Sequence, residues 1–229
     1  MGRAVRAELE GKGEFALAAG IDARPGPGIE PPDAFGYQLA SADVVLDFSS
    51  PEAACAYAAA CARAGKPFVT GVTGLSPAQL ASLRAAARRV PVFVSPNMSP
   101  AVNLTFALAA AAARSLPGFD AHVSEAHHAA KRDAPSGTAL RYAECVAAAR
   151  GGAAPPITSI RAGDITGDHT VLFAGPYERV EITHRAHSRA VFAAGALKAA
   201  AWTAGRKPGF YDYMDLLGLK GHAGVKRKI

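Results

Sequence analysis

SEAHHAAKRDAPSGTAL, residues 124–140, gathers the chemistry-bearing side chains of this chain into one stretch. It holds paired imidazoles (His127, His128), an amine (Lys131), a carboxylate (Asp133) and then Pro135-Ser136-Gly137-Thr138. The lead-in, Phe119 to Ala126, reads as a strand, and the continuation, Thr138 to Arg150, as a helix rich in Ala and Leu. A strand that delivers titratable groups into a loop closed by a helix N-terminus is a common plan for an anion-binding catalytic pocket. The N–H groups of Gly137 and Thr138, with the hydroxyls of Ser136 and Thr138 beside them, suit a carboxylate or phosphate. The His and Lys next to them suit proton transfer on the same bound molecule.

Blander readings of the same residues fall short. A His-His pair alone is more often structural than catalytic. The pattern His122-x-x-Glu125-x-His127 matches neither common zinc-helix spacing, and no Cys lies nearby, so no metal is expected. A P-loop is excluded because no Gly-Lys-Ser/Thr closes a glycine loop. The combination of His-His, Lys and a Ser-Gly-Thr helix start is what points to a site.

EAHHAAKRDAPSGTA resembles the signature E-x-H-H-x-x-K-x-D-A-P-S-G-T-A of the dihydrodipicolinate (4-hydroxy-tetrahydrodipicolinate) reductase family. Further family-like stretches are VVLDFSSPEA (44–53), TGVTGLS (70–76), SPNMSPAVN (95–103), RAGDITGDHTVLF (161–173) and ERVEITHRAHSRAVFAAGALKAAAW (178–202). The likeness runs over most of the chain. It implies NAD(P)H-dependent reduction of an unsaturated cyclic imine dicarboxylate, 4-hydroxy-tetrahydrodipicolinate or dihydrodipicolinate, to tetrahydrodipicolinate in diaminopimelate and lysine synthesis.

Composition is compatible with such an enzyme. The 229 residues, half of them apolar, can bury one large core or two modest ones. A formal charge of +6 raises nucleic-acid binding as a possibility. The basic residues are scattered, however, and only Lys226-Arg227-Lys228 forms a run, which favours a basic enzyme that attracts anionic ligands over one that binds nucleic acid. Three cysteines (Cys55, Cys61, Cys145) without a C-x-x-C argue against a disulfide framework. No signal peptide or membrane-length apolar run is visible, so a cytoplasmic location without membrane contact is expected.

Along the chain, Met1 to Arg6 reads as helix, Gly11-Lys12-Gly13 follows, and Glu14 to Asp22 reads as a strand ending in an acid. A dinucleotide fold begins strand, glycine loop, helix, strand, with an acid about 20 residues past the fingerprint glycines. Gly2 and Asp22 keep that spacing, but the family's first strand and leading glycines have no counterpart here. The expectation for the chain as written is weak cofactor binding. Val44–Leu46, Pro67–Thr70 and Val90–Val94 then read as buried parallel strands. They are separated by helices that start at Ser50-Pro51 and Ser76-Pro77. A helix at about Ala101–Arg114 leads into the central motif. Arg161 to Phe173 and Glu178 to His187 read as antiparallel strands about Gly175-Pro176. The helix at Ala193–Ala204 and the segment Phe210–Leu217 are expected to return to the first domain.

The expected fold class is α/β: a Rossmann-like doubly wound parallel sheet, truncated at its N-terminus, with an α+β substrate and oligomerisation domain. The boundaries are 1–99 plus 189–229 for dinucleotide binding, and 100–188 for substrate binding and tetramerisation. By resemblance, Asp22, Gly71, Val72, Thr73, Ser95, Pro96, Asn97 and Met98 contact the cofactor. Ala23 and Arg24 follow the acid, which leans towards NADH with NADPH open. His127 is matched to the proton donor, and Lys131 to a second donor and substrate cation. His128, Ser136, Gly137 and Thr138 are matched to substrate binding. Asp133 and Pro135 shape the loop. His184 and His187 read as packed or solvated imidazoles. A homotetramer is implied by family likeness. An alternative of another class is a catalytically impaired homologue that keeps the dicarboxylate pocket and serves in binding or assembly.

Overall fold

The computed structural model describes residues 1–10 and 15–220. The Gly11–Gly13 stretch, Glu14 and the basic run at Lys226–Lys228 lie outside the described residues. Helix α1 (Gly2–Leu9) comes first, and after the irregular stretch 15–31 a short helical passage contains α2 (Phe35–Gln38). Then come β1 (Val45–Asp47), α3 (Pro51–Ala64), β2 (Phe68–Thr70), α4 (Pro77–Ala86) and β3 (Pro91–Val94). The chain continues through α5 (Pro100–Ser115), β4 (Asp120–His127), α6 (Gly137–Arg150), β5 (Ile157–Arg161), β6 (Asp168–Ala174) and β7 (Arg179–Arg185). It closes with α7 (Ala190–Ala204), β8 (Gly209–Tyr211) and α8 (Tyr213–Leu216). Two units result, Met1–Met98 with Ala190–Leu216, and Ser99–Arg189 with residues 217–220.

The first unit holds a wholly parallel sheet in the order β1-β2-β3-β8. Side chains alternate across a strand, so each strand supplies both faces. Phe68 and Val92 pack with Ala54, Ala58, Cys61 and Leu83 of α3 and α4. On the opposite face Leu46 and Phe48 pack with Ala193 and Leu197 of α7. Phe93 meets Trp202 and Tyr213 there edge-on. Burial on both faces by helices is the doubly wound arrangement. The helices begin as their sequences dictate: Ser50 and Ser76 accept the N–H groups of Ala53 and Gln79, each with Pro in the first turn. The returning segment adds β8 beside β3, with Phe210 opposite Val92.

The strand expected over Glu14–Asp22 does not form across its described residues, 15–22. Residues 15–20 carry no strand, and Ile21 makes only an isolated parallel bridge to Glu30. A strand is held by its neighbour's hydrogen bonds, and among the described residues no strand lies beside this stretch to form a ladder. Asp22 therefore sits in an exposed turn and not at a strand's carboxyl end, with its Oδ1 accepting the N–H of Arg24 at 2.9 Å.

The second unit is a mixed sheet in the order β5-β4-β6-β7. The crossover through α6 makes β5 parallel to β4, while β6 and β7 run antiparallel. The expected single strand over Arg161–Phe173 is therefore two strands in different places of the sheet. A loop containing Gly163, at φ 47°, and Gly167 breaks it. The β6–β7 hairpin turns at Gly175, whose N–H donates to Glu178 O. Helices α5 and α6 cover one face, where Val123, Val171 and Phe173 pack against Phe106, Tyr142 and Val146.

Candidate active site

The site grows from the period-2 alternation of three strands. On β4 the inward residues run Val123, Glu125, His127, so an apolar face turns polar over its last half. On β6 they run His169, Val171, Phe173, and the register sets His169 opposite Glu125. On the other side β5 sets Ser159 opposite Glu125 and Arg161 opposite His127. Five polar side chains thus converge at one end of an otherwise apolar layer.

Glu125 is at the centre. Its side chain is fully buried and its two oxygens accept both guanidinium arms of Arg161, at 2.8 and 3.0 Å. Oε2 also holds Nδ1 of His127, and Ser136 N–H approaches Oε1 at 3.4 Å. Burial works against its charge, but the hydrogen bonds from Arg161, Ser159 and His127 outweigh that and bring its pKa down to about 2. Arg161 donates further to Ile160 O at 2.7 Å and to Asp133 O at 2.6 Å, so one guanidinium ties the carboxylate to the motif loop.

His127 is largely buried, its side chain keeping 11% exposure. Burial lowers its pKa, Glu125 raises it, and the cations Lys131 and Arg161 lower it again. The free site therefore favours a neutral ring. His169 lies edge-on to it with centroids 5.1 Å apart. Its Nε2 meets Ser136 Oγ at 3.1 Å, and its buried Nδ1 has no hydrogen-bond partner among the described residues. Burial, with His127 nearby, pushes the pKa of His169 down to about 3, so this ring is neutral as well.

Ser136 is the N-cap of α6: its hydroxyl accepts the N–H of Ala139 at 3.2 Å, and a cis peptide joins Ala134 to Pro135 just before it. Gly137 and Thr138 form the first turn, with Gly137 exposed. Lys131 pairs with Asp133 at 2.8 Å. His128 lies just past the end of β4, half-buried, its carbonyl accepting the Lys131 N–H. The structure thus brings His127 and Ser136 into one hydrogen-bonded group through Glu125 and His169, with Lys131 close enough to act on His127. His128, Gly137 and Thr138 lie along the loop and helix start around it. His184 is half-buried on β7 with an Nδ1 that has no partner among the described residues, and His187 is exposed.

Glu125, His127 and His169 carry ligand atoms all within 4.8 Å of one another. They do not fit a cation: both carboxylate oxygens already serve Arg161, whose positive charge would sit against the ion.

In the first unit the remaining candidates lie at the carboxyl ends of the parallel strands, where α/β sheets take ligands. Asp47 is buried, accepting Ser49 N–H at 2.9 Å and the Thr70 hydroxyl at 2.8 Å. Burial raises its pKa. Gly71 N–H goes to Asp47 O and Val72 N–H to Thr70 Oγ1, so these loops are fixed by their own hydrogen bonds. Val72 is buried and Thr73 exposed. Ser95 donates to Asn97 O at 2.6 Å, Pro96 is exposed, and buried Met98 gives its carbonyl to the Tyr213 hydroxyl at 2.8 Å. A preformed edge of this kind fits a dinucleotide laid along it. Asp22 does not belong to that edge. A cavity of about 580 Å³ near the irregular stretch, lined by Arg6, Leu17, Gly28, Ile29 and Glu30 among others, includes none of the candidate residues.

Sequence reasoning missed Glu125, Arg161 and His169 as site residues. Glu125 and His127 share strand parity, which is a readable signal. The strand register that supplies the other two is not.

Two family models cover the chain. Dihydrodipicolinate reductase, N-terminus, matches residues 1–98, and dihydrodipicolinate reductase, C-terminus, matches 101–217. The 4-hydroxy-tetrahydrodipicolinate reductase of Anaeromyxobacter dehalogenans (strain 2CP-1) is 47% identical over 243 residues, spanning 96% of this chain and 90% of that protein. The Thiobacillus denitrificans reductase of the same name is 45% identical over 255 residues, spanning 96% and 95%. Among solved structures, dipicolinate-bound dihydrodipicolinate reductase from Paenisporosarcina sp. TG-14 shares the fold with a TM-score of 0.80 at 21% identity, covering 94% of each chain.

Proposed function

This chain belongs to the dihydrodipicolinate reductase family, and on that premise we propose that it reduces 4-hydroxy-tetrahydrodipicolinate to tetrahydrodipicolinate with NADH or NADPH, on the diaminopimelate route to lysine. The observation that carries the reading is the His127–Glu125–Arg161 group set against the Ser136-Gly137-Thr138 helix start, with Lys131 alongside. An anion-binding helix end next to a held imidazole suits a dicarboxylate that must be protonated. The intact group favours a working reductase over an impaired homologue.

The first unit takes the dinucleotide and the second the substrate. Gly71, Val72, Thr73, Ser95, Pro96, Asn97 and Met98 form the cofactor edge. Asp22 keeps the sequence spacing of an acid that accepts from the ribose hydroxyls and leans the preference towards NADH, although here it lies in an exposed turn. Bound NAD(P)H supplies a hydride. Addition of that hydride to the conjugated imine leaves an electron pair on the ring system, and His127 Nε2 delivers the proton that completes the reduction. The ring is neutral in the free site. A dianionic substrate that offsets the Lys131 charge raises its proton affinity at the moment it is needed. Gly137 and Thr138 N–H groups and the Ser136 hydroxyl hold one carboxylate, and His128 and Lys131 contact the rest. Lys131 leaves Asp133 to do so.

No helix among the described residues is long and apolar enough to cross a membrane. We place the enzyme in the cytoplasm as a homotetramer. In support, the sheet face of the second unit opposite α5 and α6 presents Ile160 at 51% exposure. The roles are tested by His127→Ala and Lys131→Ala. Turnover should fall roughly a hundredfold or more in each while NADH affinity by calorimetry holds. Equal loss of NADH binding would show both residues assigned to the wrong ligand.

A further inference from the structure

Proton donation by His127 requires that one particular ring nitrogen face the substrate and that a positive charge be tolerated on a buried ring. We infer that Glu125, locked in place by Arg161, is the positioning residue that meets both requirements, aiming Nε2 outward and serving as counter-ion to the imidazolium. The inference rests on the reductase reading above.

Geometry comes first. Glu125 takes Nδ1 of His127, so a hydrogen on that nitrogen has a carboxylate to bind and Nε2 is left as the working atom. Among the described residues nothing hydrogen-bonds Nε2, the ring keeps 11% exposure, and the neighbour at its Nε2 edge is Gly167, which carries no side chain. The carboxylate cannot swing away. Arg161 grips both oxygens, the Ser136 N–H adds a third direction, and Arg161 is itself anchored to Ile160 O and Asp133 O. Such over-determination exceeds what fold stability asks, since a buried ion pair is often no better than a packed apolar pair of the same volume.

Electrostatics point the same way. The charged and titratable groups facing His127 are Glu125 on its own strand, Arg161 on β5, His169 on β6 and Lys131 with Asp133 in the motif loop. Burial, Lys131 and Arg161 all oppose a proton on His127, and Glu125 is the group that favours one. His169, neutral and edge-on, does not compete for the charge. Without the Glu125 carboxylate the ring would lose both its preferred tautomer and its counter-ion.

The test is the pH dependence of kcat with 4-hydroxy-tetrahydrodipicolinate and saturating NADH, on the unaltered protein, Glu125→Gln and Glu125→Asp. A donor must be protonated, so kcat falls as pH rises through the pKa of His127 in the complex. Glu125→Gln removes the charge that raises that pKa. Its falling limb is expected to move to lower pH, with kcat down roughly tenfold or more and the KM for NADH unchanged. Glu125→Asp keeps the charge and should bring the limb back towards the wild-type position at a reduced kcat. An unmoved limb in Glu125→Gln, or a loss confined to KM, overturns the inference. No turnover by the unaltered protein would instead overturn the reductase reading. Should Glu125→Gln fail to fold because Arg161 is stranded, nitrogen-15 spectra of the unaltered free protein decide. The Nδ1–H tautomer is expected for His127, and an Nε2–H tautomer contradicts the inference.

Discussion

Gly167 leads the loop into β6 directly against the working edge of His127. A Cβ at this position would lie 3.0 Å from Nε2 and 3.3 Å from Cδ2 of the ring, and the backbone stands at φ 156°. Gly167→Ala should therefore displace the imidazole. A shift of a few tenths of an ångström is expected to lower kcat by less than the roughly hundredfold that about 1 Å can cost, with NADH affinity retained, as steady-state kinetics and calorimetry would show. His169 sets a different prediction. Its folded pKa of about 3 lies below the ordinary 6.5, so the unfolded chain takes up the proton first. That stability is complete above 6.5 and drains away as pH falls towards 3. Glu125 adds a loss over the lower window from 4.5 to about 2. Thermal stability should accordingly fall already between about pH 6.5 and 5, the range set by the free imidazole. His169→Gln, which keeps a hydrogen-bonding group for Ser136, should flatten that slope; an unchanged slope would remove His169 as its source. His127, Lys131 and Ser136 were legible because they sit within one contiguous stretch. Arg161 and His169 arrive by strand register, and no local pattern records which residue will stand opposite Glu125.

The helices of the first unit announced themselves through chemistry that acts over three or four residues. Ser50-Pro51 and Ser76-Pro77 were readable as starts because a hydroxyl cap and a preset φ are local devices, and both caps are made. The stretch 15–22 shows the opposite case. Its residues are compatible with a strand, but strand formation is decided by a neighbour, and the bridge of Ile21 to Glu30 is all that remains of it. The same logic split Arg161–Phe173 in two, because glycines at 163 and 167 admit a turn that residue propensity does not demand. Helix α7 carries an element-scale constraint of its own. Gly195 lies so close to the Met98 carbonyl that a Cβ would overlap it, and the Tyr213 hydroxyl bridges Met98 O and Gly195 O at 2.8 and 2.7 Å. Gly195→Ala should destabilise the first unit by about 3 kcal/mol or more through overpacking. Tyr213→Phe should cost about 1–2 kcal/mol by leaving buried carbonyls underpaired. Chemical denaturation measures both, and a neutral Gly195→Ala would mean the α7 contact yields without cost.

At the scale of the whole chain, alternation of strand and helix followed by a run of strands was enough to expect a parallel sheet and a separate mixed sheet. Order of elements constrains topology strongly once crossovers are short and right-handed. What order could not supply was the parallel placement of β5 beside β4, which depends on α6 acting as a crossover and not as a simple spacer. The chemistry follows the same division. One unit offers preformed loops at the carboxyl ends of parallel strands, and the other a buried Arg–Glu–His group at the mouth of a helix. We propose that the chain joins these functions in one reduction. The most direct test follows NADH oxidation by the unaltered protein, with and without 4-hydroxy-tetrahydrodipicolinate, alongside calorimetric binding of that dicarboxylate. Oxidation that depends on the imine, one NADH per product formed, is the expected result. A protein that binds the dicarboxylate yet consumes neither NADH nor NADPH would contradict the account and leave a binding protein on a reductase fold.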